Sequence, residues 1–149
     1  HLGGTGLGGG TIRGLCKLAA QIDDPAEIDD LSIKGSQIGD FTLKDVISGP
    51  IGNLPEDSIA VHFGNLDMMD KLEKEDICRS IIYLVATNVA RLAATTALAA
   101  KLNKIVVVGR SPNYSLYKEI LTKWIDFSGL EVVYPENREF ATAIGTLEG

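Results

Sequence analysis

The stretch from Glu75 to Leu102 limits the fold of this chain more than any other segment. Ile77, Ile81, Leu84, Val85, Asn88, Val89, Leu92, Thr96 and Leu98 or Ala99 recur at helical spacing and predict one long helix. Ala86, Ala90, Ala93, Ala94 and Ala97 thin its other faces, so a neighbouring element can approach closely. Asn88 falls on the apolar stripe and is expected to be a hydrogen-bonded core amide. Lys101 to Lys104 is expected to end the helix with cations at the negative pole of its dipole. Ser80 to Ala100 is the most membrane-like part. Asn88, Arg91 and four Ser or Thr residues there favour a buried helix over a span.

The segments beyond this helix predict an α/β pattern. Ile105 to Val108 is short and fully apolar, the mark of a buried parallel strand. It runs into Gly109-Arg110-Ser111-Pro112-Asn113, a strand-to-helix turn of the kind where α/β folds place ligands. Tyr114 to Phe127 reads as a helix stopped by Gly129, Leu130 to Tyr134 as a second strand, and Asn137 to Leu147 as a last helix. Two strands rarely make a stable sheet, so further strands or a partner are expected to complete it.

Upstream, Gly10 to Ile22 reads as a helix. Asp24 as N-cap and Pro25 at the first helical position open another over Ala26 to Lys34. Gly39 to Thr42 reads as a turn, and Thr42 with Asp45 has capping-box spacing for a short helix over Leu43 to Ile47. Ser48 to Asp57 reads as a loop rich in Gly and Pro, and Ile59 to Asn65 as a short extended piece.

Six of the nine residues from Gly3 to Thr11 are glycine, and they lead straight into the first helix. Glycines let backbone N–H groups converge on an anion, and a helix start adds free N–H groups and positive potential. The predicted ligand is therefore a nucleotide phosphate. Gly4, Gly6 and Gly9 match a GxGxxG pattern, but neither the preceding strand nor the acidic ribose contact of a dinucleotide fold is in place. No Gly-Lys-Ser/Thr comes after the glycines, which excludes a Walker A loop. Arg13 and Lys17 supply the local positive field.

The 149 residues suffice for one domain with a core, and 45% apolar against 23% charged residues fit a soluble globular chain. The net charge of −6 is uneven: residues 21–76 hold fourteen acidic and four basic side chains. That belt argues against a broad nucleic-acid surface. Cys16 and Cys78 are expected to be buried free thiols, and neither they nor His1 and His62 form a metal cluster or a triad. The chain does not begin with Met, and a truncated, processed or engineered product is expected.

The order of these motifs resembles the C-terminal part of type II pantothenate kinases, of the acetate and sugar kinase, Hsp70 and actin superfamily. The resemblance rests on Gly3 to Thr11 with Gly14-Leu15-Cys16-Lys17-Leu18, on Phe63-Gly64-Asn65, and on Glu75-Asp76-Ile77-Cys78-Arg79 with Thr87-Asn88. It extends to Val106-Val107-Val108-Gly109 and Ala141-Thr142-Ala143-Ile144-Gly145. It implies a helix-rich α/β chain, the C-terminal half of a ribonuclease H-like ATPase fold, with an incomplete sheet and residues 1–149 forming a single ATP-binding lobe.

The resemblance also implies phosphoryl transfer from Mg-ATP to pantothenate in coenzyme A synthesis, in a cytoplasmic homodimer with no membrane or nucleic-acid partner. Gly8, Gly9, Gly10 and Thr11 would cradle the ATP phosphates, Arg13 would help hold them, and Gly109, Arg110 and Ser111 would border the nucleoside. Mg2+ would come with the nucleotide. The family's first phosphate loop and its glutamate base belong to an N-terminal half that is not in this sequence, so no catalytic residue is assigned and the chain alone is expected to be inactive. Arg110 stands where relatives often have a small or polar residue. Another kinase of the superfamily, an ATPase that activates a radical or iron-sulfur enzyme, and a non-catalytic interaction fragment remain open alternatives.

Overall fold

The computed structural model describes residues 1–47, 51–52 and 54–148, so part of the expected loop over Ser48 to Asp57 lies outside the described residues. In chain order the elements are α1 (Gly9–Ala20), α2 (Pro25–Lys34), β1 (Phe41–Thr42), α3 (Leu43–Val46), β2 (Ile59–Val61) and α4 (Lys74–Ala99). Then come β3 (Lys104–Val106), α5 (Ser115–Phe127), β4 (Glu131–Val133) and α6 (Ala141–Glu148). The protein is α/β and helix-rich, with small sheets, as expected.

α4 is the central element, packed by α5, α2 and α1. Ile81 and Val85 of the expected stripe are buried, but the interior also runs along Cys78, Ile82, Ala86, Ala90, Ala94 and Ala97, while the leucines of the stripe are not among its buried residues. Helices that approach from three sides need small side chains between the axes, so the alanines take the interior and Leu92 stays 37% exposed. Asn88 is exposed too, its Nδ2 donating to the Leu84 carbonyl at 2.8 Å, so it is not a core amide. By length and composition alone α4 could cross a bilayer; here it is the core helix. Cys16 and Cys78 are buried free thiols in the same core cluster, where α1 meets α4.

Local signals set the helix ends. Asp24 Oδ1 accepts from the N–H groups of Ala26 and Glu27 at 3.0 Å, with Pro25 at the first position of α2. Thr42 and Asp45 form the capping box of α3. The expected cationic end of α4 is absent from its last turn, because the helix stops at Ala99 and Lys101 turns into the left-handed region at φ 57°. Phe41–Thr42 pairs antiparallel with β2 instead of forming a plain turn.

β3 and β4 pair in parallel, Ile105 opposite Val132. β3 is not the buried strand its composition predicts. Val106 is 55% and Val108 51% exposed, because one neighbour and one helical layer cover a strand whose apolar residues point both ways.

Asp76, near the start of α4, joins α4 to the end of α2. Burial pushes its carboxyl up, but the Ser36 N–H and hydroxyl, both at 2.7 Å, and the Glu73 N–H at 3.1 Å hold it below the ordinary carboxylate value. A carboxylate whose pKa is lower folded than unfolded stabilises the fold above the unfolded value, about 4, and that contribution is lost as pH falls through the folded one. Asp76→Asn should therefore lower the urea midpoint at pH 7, and its gap from the native chain should narrow below about pH 4. A gap unchanged between pH 7 and pH 3 would show that the charge contributes nothing.

Candidate functional site: a cleft between the glycine loop and the turn after β3

The two sequence-distant candidate segments meet. Gly9, Gly10 and Arg13 of α1 lie on one wall of a cleft of about 730 Å³, and Arg110 and Ser111 lie on the other. Contact is close: a Cβ on Gly9 would lie 3.1 Å from Ser111 Oγ. Pro25, Ala26 and Asp29 of α2 add a third side, and Asn113, Tyr114 and Glu139 complete the wall of the turn.

Each wall is held in place by identifiable bonds. Gly6 sits at φ 68°, and the Thr11 hydroxyl donates to its carbonyl and accepts the Gly8 N–H, both at 3.2 Å. Thr11 and Gly8 thus lock the loop and are not among the residues lining the cleft. Gly9 and Gly10 open α1, where backbone N–H groups have no partner within the helix, and α1 has no acid in its first turn. Arg13 Nε donates to the Asp23 carbonyl at 3.0 Å, which orients its guanidinium.

Across the cleft, Gly109 turns the chain at φ 96°, a conformation that favours glycine. Its N–H donates to the Arg138 carbonyl at 2.8 Å, and Arg138 Nη2 donates to Asn113 Oδ1 at 2.6 Å. Gly109 therefore forms the corner behind the wall without lining the cleft. Arg110 Nε is 4.0 Å from Glu139 Oε2 and largely exposed. Burial pushes the Tyr114 phenol up, so it is a neutral donor at physiological pH. The cleft offers two guanidinium groups and a free helix start to an anion.

Asp29, Asn113, Tyr114 and Glu139 were not among the sequence candidates. Asp29 bonds Ser115, 86 positions away, and no local pattern announces such a bond. Among the described residues no group of three or more His, Cys, Asp or Glu side chains is placed to hold a metal.

A family profile called Fumble matches residues 1–145. The chain belongs to the Fumble family. The Fumble relatives include type II pantothenate kinases from Bacillus cereus strain ZK, 27% identical over 148 residues, and from Bacillus anthracis, 28% identical over 148 residues. Each alignment covers 97% of this chain and 54% of the relative. The type II pantothenate kinase of Staphylococcus saprophyticus is 26% identical over 151 residues, 99% of this chain and 57% of its own length. The resemblance drawn from the motifs is thereby supported along nearly all of this Fumble chain, which spans about half the length of the curated relatives it matches.

Proposed function

We propose that this chain is the ATP-binding lobe of a type II pantothenate kinase, with the C-terminal architecture of a ribonuclease H-like ATPase, and serves coenzyme A synthesis in the cytoplasm. The observation that supports the reading best is the cleft itself, which puts the glycine-opened helix start beside the turn after β3. The ATP phosphates take the N–H groups of Gly9 and Gly10. Gly8 and Thr11 shape that cradle, while Arg13 offsets phosphate charge. Arg110 and Ser111, with Gly109 behind them, border the nucleoside. Mg2+ arrives on the nucleotide. Phosphoryl transfer of this kind depends mainly on positioning and charge stabilisation, which is what such a cradle provides. The acceptor alcohol is that of pantothenate, and the base that activates it lies in the rest of the longer protein. Calorimetric titration of Mg-ATP into the chain tests the reading: saturable heat of binding is expected, and its absence in a cooperatively folded sample would overturn it.

The partners proposed are the rest of that protein and a second copy of the chain. The exposed Val106 and Val108 of the β3 segment and the exposed Leu98 and Leu102 at the end of α4 are the surfaces they would cover. Sedimentation at micromolar concentration should show self-association. A monodisperse monomer across that range would rule out the homodimer for the chain by itself.

A further inference from the structure

Among the described residues β3 has one neighbour, β4, and its second edge is open. The Val107 N–H donates to the Val133 carbonyl of β4 at 2.9 Å, and the Asn103 carbonyl accepts the Glu131 N–H at 2.9 Å. Backbone groups alternate between the two edges of a strand, so those of Val106 and Val108 point away from β4. Beside β3 lies a groove of about 680 Å³ on the opposite side of α4's stripe from the interior alanines' neighbours, with Lys104 and Ile105 on one wall and residues 1–7 on the other. Among the described residues His1 to Gly4 make no backbone hydrogen bond either. The floor is α4, through Val89, Leu92, Ala93 and Thr96. Val89, Leu92 and Thr96 belong to the apolar stripe that the sequence predicts as core. Leu92 is 37% exposed here, so the stripe is not closed at this point.

We propose that an extended segment of the longer protein lies in this groove as a third strand, paired with the open edge of β3. The proposal rests on the reading of this chain as part of a longer protein, and the relatives have polypeptide to supply the strand: the alignments cover 54% of one and 57% of another. A helix could cover the apolar floor, but its own backbone bonds leave it nothing to exchange with Val106 and Val108. A strand meets both needs, since it pairs with an open edge and buries every second side chain. One set of its side chains faces α4, where Ala93 and Thr96 leave room for a sheet to approach. The other set stands beside Val106 and Val108, which are 55% and 51% exposed. The segment is therefore apolar on both faces, as a strand inside a parallel sheet is.

The test is amide hydrogen exchange, followed residue by residue by NMR, in this chain and in the longer protein. The Val107 N–H, bonded to β4, should be slow in both. Those of Val106 and Val108 should exchange quickly in the chain alone and about 100-fold more slowly in the longer protein. Fast exchange at both in the longer protein would overturn the proposal. Slow exchange in the chain alone would overturn it too: protection that rises with concentration would give the edge to a second copy, and protection that does not would show that the edge is already closed. Leu92→Lys reads the floor separately. It should move the Tm of the chain by no more than about 2 °C and lower that of the longer protein by about 5 °C or more. Equal shifts would overturn the covered floor. If the longer Leu92→Lys protein does not fold, Leu92→Ala takes its place in the same comparison. None of these measurements involves nucleotide, so a chain that binds no ATP would overturn the nucleotide reading and leave the third strand to be decided by exchange.

Discussion

Gly35→Ala is expected to destabilise this protein by about 3 kcal/mol or more, although it adds a single methyl group. Gly35 ends α2 and lies against the first turn of α4. A Cβ there would lie 2.5 Å from the Glu75 carbonyl carbon and 2.9 Å from the Asp76 nitrogen, and closer still to the Glu75 oxygen. These are backbone atoms, so no rotamer change relieves the contact, and α2 and α4 must separate. Separation also stretches the bonds from Ser36 to the Asp76 carboxylate. For a chain of this size the loss corresponds to a drop in Tm of roughly 10 °C. Differential scanning calorimetry measures it. A Tm within a degree or two of the native chain would show that the helices can part at little cost.

Gly9→Val is expected to reduce ATP affinity by about 100-fold, equivalent to about 2.7 kcal/mol. The added Cβ meets Ser111 Oγ at 3.1 Å, and its two methyl groups fill the space through which a phosphate would reach the N–H groups of Gly9 and Gly10. Gly9 lies in ordinary helical backbone, so the variant should fold. Gly14→Ala is the matched control on the same helix. Its Cβ meets nothing within 4 Å, and the change should leave ATP affinity intact while adding about 0.5–1 kcal/mol of stability. Unchanged affinity in folded Gly9→Val would remove the loop from the binding site.

Features with a local cause were legible in the sequence. Asp24-Pro25 marked the start of α2 and Thr42 with Asp45 that of α3, because a cap is decided within four residues. Gly9, Gly10, Arg13, Arg110 and Ser111 could be singled out, because loop glycines and a turn after a strand leave a pattern. Features decided by the crossing of helices were not legible. The interior line of α4 is set by three neighbours, so the alanines rather than the leucines went inside. The exposure of β3 depends on how many strands stand beside it, which the four apolar residues from Ile105 to Val108 do not state. Asp29 and Ser115 pair across 86 positions, and each looks like an ordinary polar residue in its own segment.

The walls of the cleft come from segments far apart in the chain. Residue 9 faces residue 111 and residue 29 bonds residue 115, so no partly folded segment contains a working cleft. Any molecule that binds there binds only the native state and acts as a thermodynamic staple between distant segments of the chain. At one hundred times its dissociation constant it would add about 2.7 kcal/mol to global stability, as much as a well-placed disulfide. Amide exchange in the core of α4, far from the ligand, would slow by the same factor as exchange beside it.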